Sequence, residues 1–300
     1  MRIGSIAQHA NIGPKGGGPE AILPDGIIPG RLNNFDIIGW WDFTDYIHAG
    51  ASTDSTTNLI GLGDKGPYNA SLFSDFPGSK GPTYPKIGQD SHRYTALTST
   101  AFDSMKFTNP IDINSRKFTA TMICDFSGTT LSKDFFLFRL NGTDNSALKV
   151  WFDDYISFDR LFVGREKSGY DTKYSYAGDS SAYFDGTTGG DLNYNFNWIT
   201  IVLEADGTVS AYMRGKKLNM GYTSGTFADT TIASKDTISY VFDNRTSSTG
   251  TASSTNDQMG GRVYEIMMFN ESLSESQVYD IDMYVKEKYP SYAYGRVNGY

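Results

Sequence analysis

The stretch "NWITIVLEADGTVSAYMRGKKL" (197–218) constrains the fold more than any other part of this chain. Apolar and β-branched residues dominate 198–204, Asp206-Gly207 follows, and Val209, Ala211 and Met213 then alternate with Thr208, Ser210 and Tyr212. Period-two alternation puts one set of side chains on one face of a strand. Asp-Gly supplies the positive φ angles of a tight hairpin turn. Connections this short force antiparallel pairing, so the sequence predicts a β-hairpin here.

The same period recurs upstream. In "KFTATMICDF" (117–126), Phe118, Ala120, Met122, Cys124 and Phe126 share one face, which predicts a half-buried strand. "FFLFRL" (135–140), "ALKVWF" (147–152) and "ISFDRLFVG" (156–164) follow at meander spacing, parted by turns such as Asn141-Gly142. "FDIIGWWDFTD" (35–45) reads as the first strand, and 58–89 is rich in Gly-Pro turns. With 39% hydrophobic and 14% aromatic residues, the chain can fill a large core. Three hundred residues could hold two average domains, but an all-β sandwich often reaches this size as one.

The end of the chain breaks this pattern. "GGRVYEIMMFNESLSESQVYDIDMYVKEKYP" (260–290) holds an apolar strand, a short turn and one amphipathic helix. Ser274 and Gln277 form a capping box, and Leu273 precedes it as a staple onto Val278. Val278, Ile281 and Val285 make an apolar stripe, Lys286 and Lys288 suit the negative end of the helix dipole, and Pro290 stops the helix. "RVYEIMMF" is apolar on both faces apart from Glu265, so one face needs a cover, and the helix is the expected lid.

Those residues carry a family resemblance. Trp198, Asp206-Gly207, Tyr212, Gly215 and Lys216, with the closing strand and helix, resemble the concanavalin A-like (laminin-G-like) lectin/glucanase jelly roll. "IIGWWDFTD" and "DKGPYNASL" are similar to that branch's opening strand and its first turn. The resemblance spans roughly 36–290 and implies an all-β antiparallel β-sandwich jelly roll with one C-terminal helix. About a dozen strands and one core are expected for it. The expected organisation is a Gly/Pro-rich N-terminal arm (1–34), the jelly-roll domain (35–290) and a C-terminal tail (291–300).

Composition and motifs narrow the function. A net charge of −8 with no basic cluster longer than Lys216-Lys217 argues against nucleic acid. No apolar run reaches membrane-span length, and the N-terminal residues lack a secretory pattern. Cys124 is alone and reads as a small buried hydrophobe. The Glu-x-Asp-x-x-Glu string that the fold's glucanases use as paired acid and base is absent, and His9, His48 and His92 all precede the clear strands. A non-enzyme is expected. No zinc-ligand spacing exists; Asp243 and Asn244 are weak calcium candidates, and no cofactor is otherwise expected.

Two binding surfaces remain. Tyr170, Tyr174, Tyr176 and Tyr183, in a Gly/Ser/Asp-rich segment, and Trp151 are candidates for stacking on sugar rings, though tyrosines also serve as core cover. Residues 10–31 are dense in Gly and Pro and form either a loose tail or an arm that docks a partner through Ile22, Leu23, Ile27 and Ile28. The resemblance, joined to that arm, implies a structural component of a bacteriophage virion, a head-fibre, decoration or tail protein. Its expected partners are other virion proteins and host-surface glycans. Synthesis in the host cytoplasm and a homo-oligomeric state are expected. The alternative is a carbohydrate-binding or glycan-degrading surface protein.

Overall fold

The structure, a computed structural model, describes the elements named below together with residues 34–36, 117, 204, 208, 214–215, 218–220, 270–274 and 289–290. A 3-10 turn, Gly30–Leu32, leads into β1 (Ile37–Asp42), β2 (Ser52–Thr53), β3 (Leu59–Leu62), β4 (Leu72–Ser74), β5 (Thr83–Ile87) and β6 (Arg93–Leu97). Next come β7 (Met105–Phe107), β8 (Phe118–Asp125), β9 (Phe135–Asn141), β10 (Ala147–Asp153), β11 (Arg160–Lys167) and β12 (Asp171–Ala177). The chain then forms β13 (Phe196–Leu203), β14 (Val209–Met213), β15 (Lys216–Lys217), β16 (Tyr222–Ser224), β17 (Ile238–Val241), β18 (Gly261–Phe269) and helix α1 (Glu275–Lys288).

All strand pairs are antiparallel, and they build two sheets. The first runs β15-β14-β13-β8-β18-β6-β5, with β1 also on β18. The second runs β16-β12-β11-β10-β9-β17-β7-β4-β3-β2. The chain is thus an antiparallel β-sandwich with one C-terminal helix. Eighteen strands among the described residues exceed the dozen expected, because several are pieces of two to four residues.

The hairpin expected over 197–218 is β13 and β14, paired from Ile199↔Met213 to Leu203↔Val209. Asp206-Gly207 lies outside the described residues; Glu204 N–H donates to the Thr208 carbonyl at 2.8 Å just before it. A second turn follows at Arg214-Gly215, with φ of 50° and 72°. Two positive φ values in a two-residue loop are the geometry that matches strand twist, and they need glycine at the second position. Arg214 is held there by Nε donating to Asn197 Oδ1 at 2.9 Å and Nη2 to the Phe196 carbonyl at 3.1 Å. A Cβ on Gly215 would sit 2.6 Å from Asp282 Cγ, so this turn also lets the helix approach.

Helix α1 covers the first sheet, as the two-sided apolarity of β18 required. Ser274 caps it: Gln277 N–H donates to Ser274 Oγ at 3.4 Å, and Ser274 N–H donates to Gln277 Oε1 at 2.8 Å. Leu273, Val278, Ile281 and Val285 are buried in one cluster with Trp198, Val202, Tyr212, Ile123 and Met267 of the sheet. Each such side chain contributes about 1.5–3 kcal/mol on burial. The lid also changes the strands beneath it. β13 is buried along all eight residues. β8, expected to be half-buried, is buried on both faces: Thr119 and Thr121 are 0% exposed. Their hydroxyls are satisfied internally, Thr121 with Thr200 at 2.9 Å and Thr119 donating to the Glu271 carbonyl at 2.7 Å.

The arm expected to occupy 1–34 gives up its last residues to this core. Leu32 is buried in the helix cluster, and Arg31 Nη2 lies 2.6 Å from Glu287 Oε1. Ile22, Leu23, Ile27 and Ile28 lie outside the described residues, as does the tail 291–300.

Candidate functional site

Two features of this framework carry unusual chemistry, and they sit on different sheets. The first is a buried ionic cluster beneath α1. Glu265 and Asp42 are both fully buried, and Lys288 reaches in from the helix to lie 2.7 Å from Glu265 Oε1 and 2.8 Å from Asp42 Oδ2. Trp40 Nε1 and Tyr284 Oη each donate to Glu265 Oε2 at 2.8 Å, and Tyr289 Oη donates to Glu265 Oε1. The Lys288 ammonium also lies over the rings of Tyr289 and Tyr284, at 5.4 and 5.7 Å from their centroids.

Lys288 therefore does not serve merely as a surface charge at the helix end. Helical spacing turns it inward with Tyr284 and Val285, while Lys286 pairs with Asp282 at 2.7 Å. Burial works against the Lys288 charge, but the two carboxylates outweigh it and raise its pKa. Burial first, then the neighbouring Glu265 and Asp42 charges, hold the Tyr284 and Tyr289 hydroxyls well above their ordinary value. With no solvent access to either carboxylate, this cluster fastens the helix to the sheet; it does not face a ligand.

The second feature is a set of rungs on the second sheet, a rung being residues directly opposite one another on successive strands. Val150, Leu161 and Val163 are 0% exposed. Trp151 and Phe162 are the next opposed pair after Val150 and Val163 in the register of β10 and β11. Register then aligns Trp151↔Phe162, Phe162↔Tyr176 and Tyr176↔Tyr222. Directly opposite residues share a face. One rung of four aromatic residues therefore crosses β10, β11, β12 and β16, and Phe136 of β9 extends it opposite Trp151. Tyr174, two residues from Tyr176, takes the next position but one in register, opposite Gly164 and Ser224.

The topology thus brings together three of the five residues singled out as sugar-stacking candidates, Trp151, Tyr174 and Tyr176. Tyr170 and Tyr183 lie outside the described residues, as do Asp243 and Asn244. The Gly/Ser/Asp-rich segment that carries these tyrosines is in part sheet: β11 continues to Lys167 and β12 occupies Asp171–Ala177. Phe162 and Tyr222 were missed because their relation to Trp151 and Tyr176 exists only in register, across separations of 11 to 46 positions. The available signal was their alternation with Leu161, Val163 and Thr223. Among the described residues, no group of His, Cys, Asp and Glu is arranged to hold a metal ion, and no helix is long and apolar enough to cross a membrane.

No family model and no curated protein matches this sequence. Its backbone does resemble solved structures. The binding domain of botulinum neurotoxin DC, solved in complex with rat synaptotagmin II, matches with a TM-score of 0.53 at 14% identity over 85% of this chain and 52% of that one. The binding domain of botulinum neurotoxin serotype D gives a TM-score of 0.52 at 13% identity, covering 84% of this chain and 53% of that one. A Trypanosoma rangeli sialidase, solved with the inhibitor DANA, gives 0.50 at 10% identity over 87% of this chain and 35% of the enzyme. The chain spans about half the length of the toxin domains it matches. At these identities the likeness is one of fold: the chain is an antiparallel β-sandwich similar in backbone to parts of these toxin binding domains and of the sialidase.

Proposed function

We propose that this chain is a non-enzymatic binding domain that recognises glycans across the aromatic rung of its second sheet, displayed on a bacteriophage particle. The observation that carries the reading is the register that sets Trp151, Phe162, Tyr176 and Tyr222 opposite one another across four neighbouring strands. The apolar faces of sugar rings stack on aromatic rings, and a flat sheet offers several such positions in a row. Support comes also from the fold neighbours, which include toxin domains whose task is binding, one of them complexed with rat synaptotagmin II. Among the described residues, Glu265 and Asp42 are committed to the helix lock.

A printed glycan array probed with the full chain tests this reading. Wild type is expected to bind a defined subset of glycans, and Trp151→Ala to lose about tenfold or more in affinity while melting unchanged, the loss typical of an aromatic anchor. Absence of binding by wild type contradicts the reading, and turnover of a bound polysaccharide contradicts its non-enzymatic part.

The particle setting rests on the Gly/Pro-rich segment ahead of the sandwich and on the resemblance of the sequence to laminin-G-like virion domains. Residues 1–29 act as the tether to other virion proteins. The packed Arg31 and Leu32 fix where a deletion must stop. Removal of residues 2–28 is expected to abolish incorporation into particles and leave the melting temperature of the domain unchanged. Normal incorporation in a complementation assay contradicts the tether.

A further inference from the structure

The ionic cluster under helix α1 has the composition of a reacting site as well as of a lock. Asp42 and Glu265 are direct partners across the β1–β18 ladder, so two fully buried carboxylates lie side by side beneath the helix. Lys288 enters between them, with Nζ 2.8 Å from Asp42 Oδ2 and 2.7 Å from Glu265 Oε1. Asp42 Cγ is one bond beyond that Oδ2, which brings an amine nitrogen and a carboxyl carbon close to attack distance. Trp40, Tyr284 and Tyr289 donate to Glu265 and hold it as an acceptor beside Nζ. The rings of Tyr284 and Tyr289 also line the ammonium and help to keep the site dry. Exclusion of water favours condensation over hydrolysis.

We infer that Lys288 and Asp42 condense into an intramolecular amide, with Glu265 as the general base. The reaction needs no partner beyond these three side chains. The Lys288 ammonium first passes a proton to Asp42, which replaces two buried charges by a neutral amine and a carboxylic acid. The two carboxylates raise the Lys288 pKa, so the neutral form is a minor one and linkage is slow. The amine lone pair then attacks Asp42 Cγ and forms the N–C bond. Glu265 takes a proton from the attacking nitrogen and returns it to the hydroxyl on Cγ, which leaves as water when the C–O bond breaks. Glu265 ends as the carboxylate it began as, and nothing is oxidised or reduced. The ion pair governs the freshly folded chain, and the amide the aged one. The product ties β1 to the last turn of the helix across 246 positions, so the two stay joined even when the domain unfolds.

Intact-mass spectrometry of the full chain, incubated folded at neutral pH, tests this. Wild type is expected to become lighter by one water and to yield a proteolytic fragment that joins the peptides of Asp42 and Lys288. Glu265→Gln is expected to link about a hundredfold more slowly, the usual scale of general-base catalysis. Asp42→Asn, nearly isosteric, is expected to lose ammonia in place of water, which identifies residue 42 even if Glu265→Gln does not fold. Lys288→Met is expected to keep its full mass. A folded wild type that retains its full mass overturns the linkage. Water loss that persists in Lys288→Met, or a fragment that joins other residues, overturns the assignment. Linkage of Glu265→Gln at the wild-type rate overturns its role as base.

Discussion

Lys288→Ala is expected to destabilise the domain by about 3–5 kcal/mol, the cost of leaving a buried charge without its partner. Asp42 and Glu265 are 0% exposed and converge on one ammonium. Without it, two carboxylates face each other in a site that water does not reach. That loss is a large share of the 5–15 kcal/mol that a typical domain has in total. The second arm of the experiment separates charge from packing. Lys288→Met combined with Glu265→Gln and Asp42→Asn removes every charge at similar volume, and is expected to recover most of the loss. Chemical denaturation measures both; a Lys288→Ala cost below about 1 kcal/mol contradicts a buried lock.

The same cluster sets a pH dependence of definite sign. Lys288, Tyr284 and Tyr289 all have pKa values raised in the folded state, from ordinary values of 10.5 for lysine and 10.0 for tyrosine. A raised folded pKa means that the folded state holds its proton longer than the unfolded state does. The contribution is therefore fully present at neutral pH and is lost as pH rises above these ordinary values. Helix docking should be indifferent to pH through the neutral range and weaken in alkali.

Gly39→Ala is expected to cost about 3 kcal/mol, at the upper end for overpacking a core. Gly39 and Trp41 lie two residues apart in β1 and share a face. A Cβ on Gly39 would fall 2.7 Å from Trp41 Cζ2 and closer still to Cη2 and Cζ3. Trp41 is fully buried, so its ring has nowhere to swing. A double-mutant cycle with Trp41→Leu checks the cause. The two changes are expected to couple by more than 1 kcal/mol, because the smaller side chain frees the space that the new methyl needs. Additive costs contradict the proposed clash.

The Trp40-Trp41 pair shows what can and cannot be read from a sequence like this. Two adjacent tryptophans in a strand must point to opposite faces, so both faces of β1 had to be covered, and that much was legible. What covers each was not. Trp40 meets Glu265, 225 positions away in sequence, and packs edge-on to Tyr284 at 6.2 Å. The helix cap at Ser274 and the stripe of Val278, Ile281 and Val285 were legible because they depend on spacings of three and four. The inward turn of Lys288 was not, since a lysine in the last turn of a helix fits the dipole equally well from outside. The strands of the hairpin and of 117–126 were legible from period two. Their full burial followed from the lid above them.

The candidate site divides along the same line. Trp151, Tyr174 and Tyr176 stood out by residue type. Phe162 and Tyr222 emerged only once register set β10, β11, β12 and β16 side by side. Pairing between distant strands is set by the whole sheet, and no local pattern encodes it.

The central claim, that a glycan binds across the aromatic rung of the second sheet, is tested most directly by a crystal structure of the domain with an oligosaccharide drawn from the array. The expected result is sugar rings over the Trp151–Phe162–Tyr176 rung, alongside Gly164 and Tyr174. An oligosaccharide bound instead at the rim of the sandwich, or against the helix side of the first sheet, contradicts it.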